Sequence, residues 1–374
     1  MKKFAFLSAI VLLFVFSANA KIRRVGFFGS PVTNTDYSTF ALAYTAAASG
    51  DTILMFPSTT LSGTLTKKLY IFGPGNWLDS TSTPKGNPRL QAFAGIAAIS
   101  SLTLDVGSDG TVISGFNSGT VFIKENNISI IRNTEITIYI NYQSTTVNNL
   151  QVLQNYRVYV YNASTGLSAT NMNISNNLIM QFYTAPGSTY SGNIANNIWA
   201  YDGQTTGNVN GGASTYSNAT SIELGGGAYL LQNNVFLSYT NVSAASNANY
   251  FTFSNGGNSI FNYNLGIQSS APINWGTGAG NVITNISNAA NIFAAFPVIG
   301  SNTADARYQL KAGSPALVVN RPGSTVDAGM FAGSYPYKLS NIPTIPSIYI
   351  LTSPQGNNPP GSTIQINVST RGNN

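Results

Sequence analysis

Apolar residues along most of this chain keep no helical period. They come as brief alternations, Leu102-Thr103-Leu104, Val112-Ile113 and Val121-Phe122-Ile123, broken about every ten residues by Gly, Asn and Ser. From residue 127 the alternations fall into a common register. Setting residues 127–139 (NISIIRNTEITIY) over 149–161 (NLQVLQNYRVYVY), at an offset of 22, matches Ile128 with Leu150, Ile130 with Val152, Asn133 with Asn155, Ile136 with Val158 and Ile138 with Val160. A third copy continues through Met172, Ile174, Asn177, Met180 and Phe182. Six asparagines, Asn133, Asn155, Asn177, Asn197, Asn234 and Asn264, each follow an apolar residue by three positions: Ile130, Val152, Ile174, Ile194, Leu231 and Phe261.

Short strands at this spacing suit a sandwich, a barrel or a solenoid, and the constant register selects the solenoid. In a parallel coil each rung lies about 4.8 Å above the last, so equivalent residues stack on themselves. The pattern predicts an all-β, right-handed parallel β-helix. Its asparagines are expected at corners between strands, because Asn tolerates left-handed backbone and its amide both donates and accepts. The ladder is therefore read as structural.

Helical periodicity occurs once, over residues 37–49 (YSTFALAYTAAAS), with Ser38 as the expected N-cap and Gly50 as the stop. A helix there would cover the open end of the core. A strand follows at Thr52-Ile53-Leu54-Met55, then two short strands within residues 61–75 and a polar excursion over 76–95. Residues 203–218 (GQTTGNVNGGASTYSN) stretch the repeat to 37 residues between Asn197 and Asn234 and read as a surface loop. Asn281-Val282-Ile283 and Asn291-Ile292-Phe293 are expected to form the last coils.

Residues 1–20 read as an export leader. Lys2 and Lys3 precede an apolar run to Phe16, and Ala18-Asn19-Ala20 supplies small residues for cleavage before Lys21. Residues 21–340 are assigned to the β-helix, with no integral membrane segment after cleavage. Residues 341–374 are assigned to a Pro-rich linker (Pro343, Pro346, Pro354, Pro359, Pro360) and a short terminal β segment. The expected destination is extracellular, cell-surface or periplasmic. The sequence leaves the oligomeric state open.

Composition narrows the chemistry. The chain has no cysteine, which excludes disulfides and thiolate metal sites, and no histidine, which excludes the usual neutral-pH base and every Ser-His triad. Loss of Lys2 and Lys3 lowers the formal charge from +6 to +4, and no Lys/Arg cluster suits nucleic acid apart from Arg23-Arg24.

Residues 308–316 (YQLKAGSPA) followed by 327–333 (DAGMFAG) resemble the closing segment of secreted bacterial right-handed β-helix proteins of the pectate-lyase-like superfamily. Gly50-Asp51-Thr52-Ile53 is similar to the opening coil of that group. The resemblance implies a fold, and members include lyases, hydrolases and proteins with no demonstrated activity.

Counting from each ladder asparagine, positions three and five are expected inward, and positions two, four and six outward. The outward positions stack as Glu135, Arg157, Ile179 and Trp199; as Thr137, Tyr159, Gln181 and Tyr201; and as Tyr139, Tyr161 and Tyr183. Such an aromatic face could hold polysaccharide or matrix, with Tyr139, Tyr159, Tyr161, Tyr183, Trp199 and Tyr201 as ligand-binding residues. The plainer reading of the same face is a stacking ladder that stabilises adjacent coils, in a purely structural or adhesive solenoid. A lyase or hydrolase must draw on Glu125, Glu135, Asp202 and Glu223, with Arg157 beside Glu135. Ca2+ enters only with the lyase reading, and Asp105 and Asp109 in the turn DVGSDG supply too few ligands alone. No other metal or cofactor is implied.

Overall fold

The computed structural model describes residues 20–26, 31–78, 95–140, 146–162, 165–185, 187–200, 222–224, 227–237, 253–254, 258–268, 278–285, 292–295, 304–345, 347–352 and 367–371. The leader up to residue 19, most of the 76–95 excursion, the 203–218 loop and Asn291 lie outside them. Two long parallel sheets dominate. The first runs Asp36–Tyr37, Ile22–Val25, Thr52–Met55, Tyr70–Phe72, Val112–Ser114, Ser129–Ile131, Gln151–Leu153, Ser168–Ser175, Thr189–Ala195, Ala228–Gln232, Ile260–Asn262. The second runs from Thr60–Leu65 through Asn117–Ile123, Thr134–Ile140, Val158–Asn162 and Leu178–Thr184 to Val282–Asn285. The chain alternates between the sheets, and each strand pairs in parallel with its counterpart one coil away, which defines a parallel β-helix.

The interior is the set of repeat positions read from the sequence. Ile130, Val152, Ile174, Ile194 and Leu231 stack in one buried column, and Ile138, Val160 and Phe182 in another. The asparagines stand between the sheets as a buried relay. In each, Oδ1 accepts both the backbone N–H and the Nδ2–H of the preceding ladder asparagine. For Asn133 to Asn155 these bonds are 2.9 and 3.2 Å, and for Asn155 to Asn177 they are 2.8 and 3.0 Å. The pattern repeats to Asn197, Asn234 and Asn264, and Asn281 extends it to a seventh member.

Each Nδ2 also donates to a main-chain carbonyl one coil back: Asn155 to Ile130, Asn177 to Val152, Asn197 to Ile174, Asn234 to Ile194, Asn264 to Leu231. The apolar residue three positions before each asparagine thus supplies the acceptor for the next. The left-handed conformation expected of the ladder asparagines belongs instead to the residue before each: Arg132 (φ 55°), Gln154 (58°), Asn176 (59°), Asn196 (54°), Asn233 (53°) and Tyr263 (54°). That residue makes the corner, and the asparagine's side chain is left free to turn into the core.

The N-terminal helix is shorter than its periodicity suggests, spanning Phe40–Ala46. Thr39 rather than Ser38 is the N-cap, its hydroxyl accepting Leu42 N–H at 3.4 Å. Phe40, Ala43 and Ala47 bury against Val25, Met55 and Leu65 at the first coil. Lys67 Nζ donates to the carbonyls of Tyr44 and Ala47 at 2.9 and 2.8 Å, satisfying the helix C-terminus.

The segment 304–342 lies along the side of the helix. The residues after the ladder asparagines from Asn155 to Asn264, namely Tyr156, Leu178, Ile198, Val235 and Leu265, form an apolar ridge, buried under Tyr308, Ala316, Ala328, Met330 and Tyr337 in a cluster separate from the interior. The left-handed corner residues clip this strap in reverse order. Arg321 donates to Asn233 Oδ1 at 2.8 Å and to Tyr263 O; Asn196 Nδ2 reaches Asp327 O at 3.0 Å. Asn176 Nδ2 reaches Met330 O at 2.9 Å, Gln154 Nε2 reaches Pro336 O at 2.7 Å, and Arg132 reaches Ile342 O at 2.9 Å. Burial lowers the Arg132 and Arg321 guanidinium pKa values to about 10, opposed by Tyr337 and Asp327 respectively, so both are cations at neutral pH. Ile292 and Phe293 do not add a parallel rung: Phe293 bridges antiparallel to Leu310. Beyond the strap, Ser347–Thr352 pairs antiparallel with Asn367–Arg371.

Asn177→Ala strips the acceptor from the buried Asn155 N–H and removes one donor from Val152 O, which keeps its strand partner Ser175. The orphaned N–H costs about 1–3 kcal/mol, so a loss of about 2 kcal/mol in chemical denaturation is expected. Asn176→Gly removes the clip to Met330 but relieves the left-handed backbone, and should cost less than half as much.

Candidate functional site: the aromatic column

The outer face of the second sheet carries the aromatic residues. Parallel pairing places Phe122, Tyr139, Tyr161 and Tyr183 at one register position in four successive coils. Thr103 precedes the column and Glu223 follows it in register. The neighbouring column reads Thr120, Thr137, Tyr159 and Gln181. These positions face outward because the alternate residues, such as Ile136, Ile138, Val158 and Val160, are buried in the core.

The rings contact one another. Phe122 and Tyr139 stack at 5.1 Å between centroids and 16° between planes, and Tyr139 and Tyr161 at 5.6 Å and 25°. Tyr159 lies parallel to Tyr161 at 6.5 Å and 8°. The Tyr161 hydroxyl donates to Gln181 Oε1. Burial, with Tyr159 and Tyr139 adding to it, pushes the Tyr161 phenol up to about 12, so it stays neutral throughout the physiological range. Phe122 is the member that counting from asparagines misses. Its coil has Phe116 where Asn133 stands in the next, and only strand alignment reveals it.

Beside the column, Arg157 donates to Glu135 Oε1 one coil away. Glu135 keeps 39% of its side chain exposed and Arg157 16%. Both have left-handed backbone, φ 54° and 59°, as does Ser118 (48°) at the equivalent place one coil earlier. Bulky residues held in that conformation cost about 1–2 kcal/mol each relative to Gly, and such strain concentrates at functional sites. The pair is charge-neutral, half-exposed and adjacent to ring edges and hydroxyls.

Trp199 does not join the face. It is 2% exposed, stacks on Phe236 at 5.4 Å and meets the edge of Phe182 at 6.1 Å inside the helix. The cause is a register shift: Val158 pairs with Ile179 but Tyr159 with Gln181, leaving Met180 as an extra residue. From that coil onward the second position after the asparagine turns inward, as Ile179, Trp199 and Phe236. Ile179 is likewise core, and Met180 leaves the interior to pack under the strap. Tyr201 and Asp202 lie outside the described residues.

Among the described residues the acidic side chains lie apart from one another. Glu125 bonds the adjacent Asn126 N–H at 3.2 Å. Asp105 is held below the usual carboxylate range by Val106 N–H and Lys124, and Asp109 accepts Asn127 Nδ2 at 3.0 and 3.2 Å, so both carboxylates of the DVGSDG turn are already engaged. Among the described residues no three Asp or Glu gather as a metal site. The geometry therefore offers rings, hydroxyls, amides and one neutralised ion pair. These suit hydrogen bonding and apolar contact with a hydroxyl-rich ligand better than proton transfer. The sequence matches no protein-family model and no curated protein.

Glu135→Gly loses an ion pair worth about 0–1 kcal/mol but relieves left-handed strain of similar size. Its unfolding free energy should stay within about 1 kcal/mol of the parent, whereas Glu135→Val should fall below it by more.

Proposed function

We propose that this protein is an exported, non-catalytic β-helix of the pectate-lyase-like kind that holds polysaccharide or a glycan matrix against the outer face of its second sheet. The observation that carries this is the preordered column Phe122, Tyr139, Tyr161, with Tyr159 alongside, on a rigid sheet. Rings already fixed by their neighbours lose little conformational entropy on binding. Thr120, Thr137, Gln181 and the Glu135–Arg157 pair surround them with donors and acceptors for sugar hydroxyls. The leader-like residues 1–20 and the closing motif within 308–333 support export and kinship.

A purely structural or adhesive solenoid is the second reading. It is favoured by the stacking itself, since Tyr139 gives its faces to Phe122 and Tyr161 rather than to solvent. The lyase or hydrolase reading draws no support from Glu135, whose carboxylate is occupied by Arg157 and would need a second acid across a cleft.

Affinity electrophoresis through gels containing soluble glycans separates the readings. The parent chain should be retarded by at least one glycan, and the Tyr139→Ala, Tyr159→Ala double variant should bind at least about tenfold more weakly, a change of about 1.4 kcal/mol. Retardation unchanged in the double variant sinks the proposed site. Release of unsaturated or reducing ends from a retarding glycan sinks the non-catalytic reading.

A further inference from the structure

The start of the first coil holds a buried carboxylate with an unusual set of donors. Asp51 is 2% exposed. Its Oδ1 accepts the backbone nitrogen of Lys21 at 2.8 Å, and its Oδ2 accepts Arg23 Nε at 2.9 Å and Ala48 N–H at 3.0 Å. Burial pushes this carboxyl up, but the bonds from Lys21, Ala48 and Arg23, with the Arg23 charge, outweigh it and hold Asp51 below the ordinary carboxylate range. The Lys21 nitrogen is fixed in place. Its own carbonyl accepts Thr52 N–H at 2.9 Å, and Ile22 pairs with Thr52 as the strand begins. One residue earlier, Ala20 is exposed and outside any strand, and it ends the small-residue pattern Ala18-Asn19-Ala20.

We propose that the Ala20–Lys21 bond is a processing site, and that the α-ammonium freed there becomes a structural cation seated on Asp51. A leader-removing endopeptidase supplies the hydrolysis. Water adds across the amide, its hydroxyl going to the Ala20 carbonyl carbon and a proton to the Lys21 nitrogen. The new acid gives up one proton and the new amine takes one, leaving a carboxylate on the departing leader and an ammonium on the coil. An amide N–H at 2.8 Å is thereby replaced by a charge-assisted bond of the stronger class, without moving the nitrogen. Asp51 then bridges two cations, the α-ammonium and Arg23, and ties the first strand to the turn before Thr52–Met55.

Among the described residues the charged and titratable groups around this site include Lys67, whose Nζ donates to the Ala47 carbonyl on the peptide that bonds Asp51. Arg23 donates from the same strand to Asp51, and its Nη1 reaches the Tyr37 hydroxyl at 2.7 Å. Asp36 is engaged by Arg24 at 2.5 and 2.8 Å. From the next coil, Lys68 lies over the Tyr70 ring, while its carbonyl accepts Gly50 N–H at 2.7 Å. The group that would change charge between neutral and alkaline pH is the α-amine, whose ordinary pKa is about 7.7–8.0 and which Asp51 raises. A pKa raised on folding gives stability that is complete below the unfolded value and lost as pH rises through the folded one.

The test uses the full chain exported from a bacterial host. Intact mass should place the N-terminus of the product at Lys21. Selective acetylation of its α-amine should lower Tm at pH 7 by about 1–2 °C, the shift expected of roughly 1–1.5 kcal/mol in a chain of this length. The difference should close as pH rises towards 10, where the free amine is neutral. Asp51→Asn should abolish the sensitivity to acetylation. A different N-terminus, or equal Tm values for free and acetylated product at pH 7, overturns the proposal. Neither result depends on a glycan being bound.

Discussion

The buried asparagine relay is the constraint on which the rest of the structure depends. A solenoid corner leaves main-chain groups facing the core, where an unpaired N–H or C=O costs about 1–3 kcal/mol. The ladder asparagines answer this with one side chain per coil: Oδ1 takes two hydrogens from the preceding ladder residue, and Nδ2 returns one to a carbonyl a coil back. Only a primary amide both donates and accepts in that plane without charge. Because every member needs the next at the same height, the relay fixes coil spacing and register together.

From this corner the outer architecture follows. The left-handed residue before each asparagine sends its side chain away from the interior, and those side chains hold the strap from Arg321 to Ile342. The residue after each asparagine supplies the apolar ridge that the strap buries. Three consecutive positions thus serve three roles: outer clip, inner relay and covered ridge. The strap occupies one margin of the second sheet, where Tyr159 packs against its cluster, and Tyr139 and Tyr161 stand in the next outward column.

Much of the fold was legible because a stacked coil repeats its chemistry at a fixed interval. The period, the inward apolar columns and the asparagine ladder could all be read by aligning residues 127–139 with 149–161. The left-handed corner was placed one residue late, since Asn is common there and Arg132, Gln154 and Tyr263 are not typical occupants. The outward columns were legible only while the register held. Tyr139, Tyr159 and Tyr161 fell where counting placed them, whereas a single extra residue at Met180 turned Trp199 into the core. The strap was invisible for a different reason: its partners are long-range, Arg321 with Asn233 and Arg132 with Ile342, and no local period announces them.

Amide hydrogen exchange tests the relay most directly. The backbone N–H groups of Asn133, Asn155, Asn177, Asn197 and Asn234 all donate to the next ladder side chain rather than to a strand. If the relay holds the helix together, these amides exchange only through global unfolding, with one common protection matching that of core strand amides such as Val152 and Ile174. Exchange of the ladder amides through local opening, orders of magnitude faster than their strand neighbours, would contradict it.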